Sequence, residues 1–217
     1  MGNPVGLLLM IPPLLFALTV HEWSHGYAAM RLGDPTAGLL GRLTLNPLAH
    51  LDPLGSLLFL LPPHIGWARP VPVDVRYLRN PRRDMMWIAA AGPASNLVLA
   101  VAFGIALRLL AGSRVLDSAG APAAMSGLVS MVGFAVWVNL ALMAFNLIPI
   151  FPLDGSRILT GLLSPTLAAR YQTFNAYGPF LLLGLVLLGP LVGISPIGLF
   201  VSPVVQGLGR LVTGGIL

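Results

Sequence analysis

The chain has 217 residues, of which 56% are hydrophobic and 9% charged, with a formal net charge of +5 and no cysteine. A soluble domain carries about 25% charged residues, so this composition cannot cover a water-facing surface and is that of a membrane protein. The missing cysteine excludes disulfides, thiolate metal sites and thiol nucleophiles, and the 12 basic residues, all Arg, lack the aromatic interleaving of a nucleic-acid binder.

A single unit is predicted over 1–217, since no repeat or Gly/Ser linker divides the chain. The first apolar run, about 4–31, has no basic n-region and no A-x-A cleavage site, so it reads as a span with a kink at Pro12-Pro13. Arg31 to Asp84 is mixed, with a β-favouring piece at Arg42-Leu43-Thr44-Leu45 and a short apolar piece, Leu54 to Leu61. Eight residues rise only about 12 Å as helix, against a core of about 30 Å, so that piece is expected to be interfacial or re-entrant. The 66–75 segment, rich in Val and Pro, is expected to be extended and to offer an edge to a substrate strand. Two further core spans are predicted at about 84–111 and 121–149, and 177–217, broken by four prolines, holds one or two more. The expected fold is therefore an all-α polytopic membrane protein: a three-helix core, one or two C-terminal spans, and a short β or re-entrant segment between the first two core helices.

If Leu54–Leu61 does not cross, Arg31, Arg42, Arg69, Arg76, Arg79, Arg82, Arg83, Arg157 and Arg170 share one side, opposite Arg108 and Arg114, with Arg210 unassigned. The positive-inside rule then puts that larger group in the cytosol.

His21-Glu22-x-x-His25 sets two imidazoles one helical turn apart on one face, about 6 Å along the axis, with the chain's single glutamate beside them. Two such histidines suit Zn²⁺, and the glutamate suits a base for water that the ion acidifies. Shuffling this composition yields the pattern roughly once in four thousand chains. Ionisable groups inside a span are costly, which further separates the motif from a histidine pair that merely fills a polar gap. A catalytic zinc takes three protein ligands, and Asp154 is the only acid near the end of another span; two crossings separate it from the histidines, so both reach the same side. Pro149 and Pro152 are expected to break the helix before Asp154, with Gly155 permitting a tight turn after it.

These residues, with Gly92-Pro93-x-x-Asn96 and Asn146-Leu147-x-Pro149-x-x-Pro152-Leu153-Asp154-Gly155, resemble the site-2 protease family of intramembrane zinc metalloproteases, in order and on separate spans. The likeness runs from about 16 to 158 and includes Gly33-Asp34-Pro35-Thr36-Ala37 and Asn46-Pro47-Leu48, as in compact bacterial and archaeal members, without the PDZ or CBS domains of larger ones. The resemblance implies one Zn²⁺ held by His21, His25 and Asp154. It implies Glu22 as base and proton donor, Asn146 stabilising the oxyanion, and Asn96 binding an unwound substrate strand. It implies hydrolysis of a peptide bond in or near the transmembrane helix of a single-span substrate, in a prokaryotic plasma membrane, at a site open to the cytosol.

Two other classes compete. A metal transporter would spread carboxylates along a path, whereas the span interiors here read as otherwise bare; an inactive scaffold would lack the base, and Glu22 is present. His50 and Asp52 read as a turn with an Asx-type hydrogen bond, His64 as interfacial, Trp67, Trp87 and Tyr77 as an interface belt, and Arg79 to Arg83 as topology and lipid contact.

Overall fold

Without water to satisfy their backbones, long apolar segments adopt helices, and helices dominate the computed structural model, which describes residues 4–53, 55, 68–112, 123–191, 193 and 195–216. Eight α-helices are present among the described residues: α1 Pro4–Arg31, the short α2 Thr36–Leu39, α3 Pro81–Ala111, α4 Ala123–Asn146, α5 Asp154–Leu162, α6 Pro165–Asn175, α7 Gly178–Leu191 and α8 Pro196–Thr213. α3, α4 and α8 are long and apolar enough to cross a membrane. The 28 residues of α1 continue as helix through Pro12 and Pro13 and extend about 42 Å. At 14 residues α7 extends about 21 Å, less than a hydrocarbon core, so the C-terminal region holds one helix of spanning length and one shorter apolar helix.

α3 is the central element, packed on α1, α4, α5 and α8. Ala100 of α3 meets Val136, Leu140 and Met143 of α4 and Val205 of α8 in one buried cluster; Ala29, Leu78 and Ile88 form a second where α1 meets the start of α3. Between lipid-facing helices, close approach through small residues replaces the hydrophobic drive available in water. Gly104 is such a contact: a Cβ there would lie 2.8 Å from the Val212 carbonyl oxygen of α8. At this end of the bundle Arg108 also donates to the Leu211 carbonyl oxygen near the end of α8, which puts Arg210 on the side of Arg108.

The connection between α1 and α3 differs from expectation in its β character. Residues 43–45 form bends, and among the described residues the only β pairing is an isolated bridge between Leu51 and Ala68. Prolines at 70 and 72 supply no ladder donors, and side chains take several of the remaining backbone groups. Arg42 Nη2 donates to the carbonyl oxygens of Arg69 at 2.8 Å and Pro70 at 3.3 Å, and the Arg69 N–H donates to the His50 carbonyl oxygen at 2.8 Å. Residues 69–71 are therefore a fixed strap, not an edge open to a substrate strand. Leu54 to Leu61, apart from Gly55, lies outside the described residues, as do His64, Trp67 and Arg114.

Candidate metal centre

Helix periodicity alone stacks His21 over His25 on α1, with ring centroids 4.6 Å apart and their Nε2 atoms 3.0 Å apart. Asp154 arrives from another direction. α4 ends at Asn146, residues 147–153 turn back through Pro149 and a cis Phe151-Pro152 bond, and Asp154 opens α5. Gly155 sits within the first turn of α5, not in a turn beyond Asp154 as expected. Its lack of a side chain serves close packing, because a Cβ would run into the Leu147 and Ile148 carbonyl oxygens. Asp154 Oδ2 lies 3.2 Å from His21 Nε2 and 3.3 Å from His25 Nε2.

The donor atoms themselves test whether this triangle suits a metal. His21 Nδ1–H donates to Asn96 Oδ1 at 2.6 Å and His25 Nδ1–H to the Ile88 carbonyl oxygen at 2.7 Å. A neutral imidazole carries one ring proton, so each Nε2 presents a lone pair to the other and to Asp154. Asp154 Oδ2 is buried and has no hydrogen-bond partner. Three electron-rich atoms converging at 3.0–3.3 Å repel unless positive charge lies among them. The edges of a tetrahedron with zinc–ligand bonds of about 2.0 Å measure about 3.3 Å, so the set fits three corners of a zinc site with the fourth left for water or substrate. Gly92 makes the room: a Cβ there would stand 2.5 Å from His25 Cε1 and 2.6 Å from both His21 Cε1 and His25 Nε2.

Glu22, beside the pair, accepts a hydrogen bond on Oε2 from the Val71 N–H of the strap at 2.9 Å. Val71 seats close to α1 because residue 26 is glycine; a Cβ there would meet Val71 Cγ1 at 3.0 Å. Arg42, which also holds the strap, has its pKa lowered first by burial and then by Arg69, with Glu22 opposing.

Asn96 and Asn146 both engage partners inside the protein. Asn96 is fully buried; its Oδ1 accepts from His21 and its Nδ2 donates to Asn139 Oδ1 at 2.9 Å, so the amide stands behind a ligand. Asn146 is partly buried and donates through Nδ2 to the Leu142 carbonyl oxygen at 3.0 Å, one turn back on its own helix. The reading of bare span interiors missed Asn139, fully buried midway along α4. Its signal was a lone amide in an apolar run, a costly group without a partner. His50 behaves as a turn residue: buried, it donates from Nε2 to the Thr44 carbonyl oxygen at 2.8 Å, while Asp52 Oδ1 accepts from Gly55 N–H at 2.8 Å.

The sequence profile of Peptidase family M50 matches residues 9–187, which covers the helix of the histidine pair, both other core helices and Asp154. The chain belongs to peptidase family M50. The M50 chain is 38% identical over 210 residues to YwhC of Bacillus subtilis (strain 168), named as a zinc metalloprotease, with 95% of this chain and 90% of that protein covered. It is 32% identical over 190 residues to Rip2 of Mycolicibacterium smegmatis (strain ATCC 700084 / mc(2)155), also so named, covering 84% and 68% of the two chains. Rip2 of Mycobacterium tuberculosis (strain ATCC 25618 / H37Rv) is 30% identical over 205 residues, with 92% and 69% covered. No solved structure matches the chain. Family and architecture together make this a membrane-associated zinc metalloprotease.

Proposed function

We propose that this M50 chain hydrolyses a peptide bond within or beside the transmembrane helix of a single-span membrane protein. The observation that carries this is the convergence of two lone-pair nitrogens and an orphaned carboxylate oxygen beside Glu22, well inside the helical bundle. His21 lies ten residues from the end of α1, about 15 Å along the axis. His21, His25 and Asp154 hold one zinc ion, which when bound supplies Lewis acidity to the scissile carbonyl and to the attacking water.

The remaining chemistry falls to the chain's own residues. Glu22 takes the proton from water and returns it to the leaving amine, so one carboxylate serves both proton transfers. Asn146 offers its second amide N–H to the oxygen of the tetrahedral species, a neutral donor that does not compete with the carboxylates for the ion. A helical substrate hides its carbonyls in its own hydrogen bonds, so the scissile segment unwinds before it reaches the site. An apolar cavity of about 530 Å³ between α1, α3 and α4, bordered by Phe16, Phe103, Met131 and Ala135, is also lined by Thr19, two residues from His21, and by Leu45 and Pro47. That surface suits an apolar segment in lipid. The larger arginine group belongs to the end of the bundle where α1 ends and α3 begins, and the positive-inside rule makes that end cytosolic in a prokaryotic plasma membrane.

A single-span reporter incubated with the purified protein, its Glu22→Gln and its Asp154→Asn variants, with zinc determined in each, tests the reading. Cleavage by wild type, retained zinc without cleavage in Glu22→Gln, and loss of both in Asp154→Asn are expected. Wild-type protein that binds no zinc would overturn it.

A further inference from the structure

Both histidines of the motif are held through Nδ1, but by different means. His25 donates to the Ile88 main-chain carbonyl, an acceptor that substitution cannot remove. His21 donates to a side chain, and that side chain is oriented by another. Asn139 Nδ2 donates to the Ala135 carbonyl oxygen at 2.8 Å, one turn back on α4. A carbonyl oxygen can only accept, so this contact determines which end of the Asn139 amide is which. Asn139 Oδ1 therefore faces outward and accepts from Asn96 Nδ2 at 2.9 Å, while that same Nδ2 is 3.5 Å from the Ala17 carbonyl oxygen. With its donor end so occupied, Asn96 turns Oδ1 to His21 Nδ1 at 2.6 Å. Both asparagines are fully buried, where water cannot substitute for a lost partner.

We propose that Asn139, through Asn96, is a positioning residue that sets the tautomer and ring orientation of His21, so that α4 determines how well α1 binds the metal. The inference rests on the zinc site proposed above. The direction of the chain matters: reversing either amide would place an N–H against His21 Nδ1, which would then lose its proton, moving it to Nε2 and blocking the lone pair that faces Asp154. The path runs from the backbone of α4 through α3 to α1, so the ligand geometry depends on the packing of all three core helices.

The test compares zinc affinity of detergent-solubilised protein, by competition with a chromophoric chelator, in wild type, Asn139→Leu and Leu140→Ala. Leu140 is the next residue on α4, equally buried but in the cluster facing α8. Asn139→Leu keeps the branched shape, with bulkier methyl groups, and removes both hydrogen bonds; zinc affinity is expected to fall 10–100-fold, roughly the cost of losing an outer-shell partner of a metal ligand. Leu140→Ala is expected to lower the unfolding temperature and leave zinc affinity within twofold. In the Co²⁺-loaded proteins the ligand-field spectrum should change for Asn139→Leu and stay that of wild type for Leu140→Ala. If Asn139→Leu does not fold, Asn139→Ser, which retains a hydroxyl able to accept from Asn96, is expected to show an intermediate loss. Equal zinc affinity and spectra in wild type and the folded Asn139 variant would overturn the inference while leaving the zinc site intact; a wild type without zinc overturns the site itself.

Discussion

The Glu22 carboxylate accepts a hydrogen bond from the backbone N–H of Val71, 49 residues further along the chain. Prolines at 70 and 72 leave Val71 as the only N–H donor in that stretch of strap, and Arg42 holds the strap by two carbonyl oxygens just before it. One carboxylate oxygen is thereby fixed. Arg42→Ala should free the strap and blur the aim of Glu22. A charge-assisted hydrogen bond contributes about 1.5–3 kcal/mol, so kcat on a reporter should drop about tenfold or more, with zinc content unchanged. An Arg42→Ala protein of wild-type kcat would show that Glu22 needs no such support.

Gly92→Ala is expected to abolish zinc binding and cleavage together. The added Cβ would stand 2.5–2.6 Å from atoms of both imidazoles, too close for any ordinary contact, and the rings would have to leave the triangle they form with Asp154. Metal analysis of the purified variant reads this directly.

Removal of zinc by a chelator should stop cleavage, and added zinc should restore it. Because an ion bound only by the folded state stabilises it by mass action, the unfolding temperature should rise with free zinc concentration. In Asp154→Asn that dependence should disappear.

Asp34 ties the α1–α2 corner to the segment leading into α3. It is fully buried and accepts three hydrogen bonds: from Thr36 N–H at 2.9 Å, Thr36 Oγ1 at 2.5 Å and Asp74 N–H at 2.7 Å. Asp34→Ala leaves these donors unpaired, at a cost of about 3 kcal/mol. Asp34→Asn, which still accepts, should lose less. Thermal unfolding in one detergent ranks the two.

Gly104→Ala places a Cβ 2.8 Å from the Val212 carbonyl oxygen and should push α8 from α3. Overpacking of this kind costs about 1–3 kcal/mol, and the site lies elsewhere along α3. A lowered unfolding temperature with unchanged zinc affinity is expected; altered zinc affinity would mean that α8 packing reaches the metal centre.

The membrane class, the core helices and the family were legible in the sequence because each rests on local information. Apolar run length predicted spans at about 84–111 and 121–149, where α3 and α4 occupy Pro81–Ala111 and Ala123–Asn146. The facing of His21 and His25 follows from helical spacing, and the approach of Asp154 from the parity of crossings. What belonged to the tertiary structure is how those groups are held. The partner of His21 lies 75 residues away and that of His25 lies 63 away, so no local pattern could name Asn96 or the Ile88 carbonyl. The place of Asn96 in a motif carries no direction; packing against Asn139 turns its amide oxygen to His21. Composition favours extended backbone at 69–71, but whether such a backbone is free depends on what lies across from it, and here Arg42, His50 and Glu22 do. Residue type and spacing determine which atoms can bind a metal, while the direction of each hydrogen bond around them is decided only when separate helices meet.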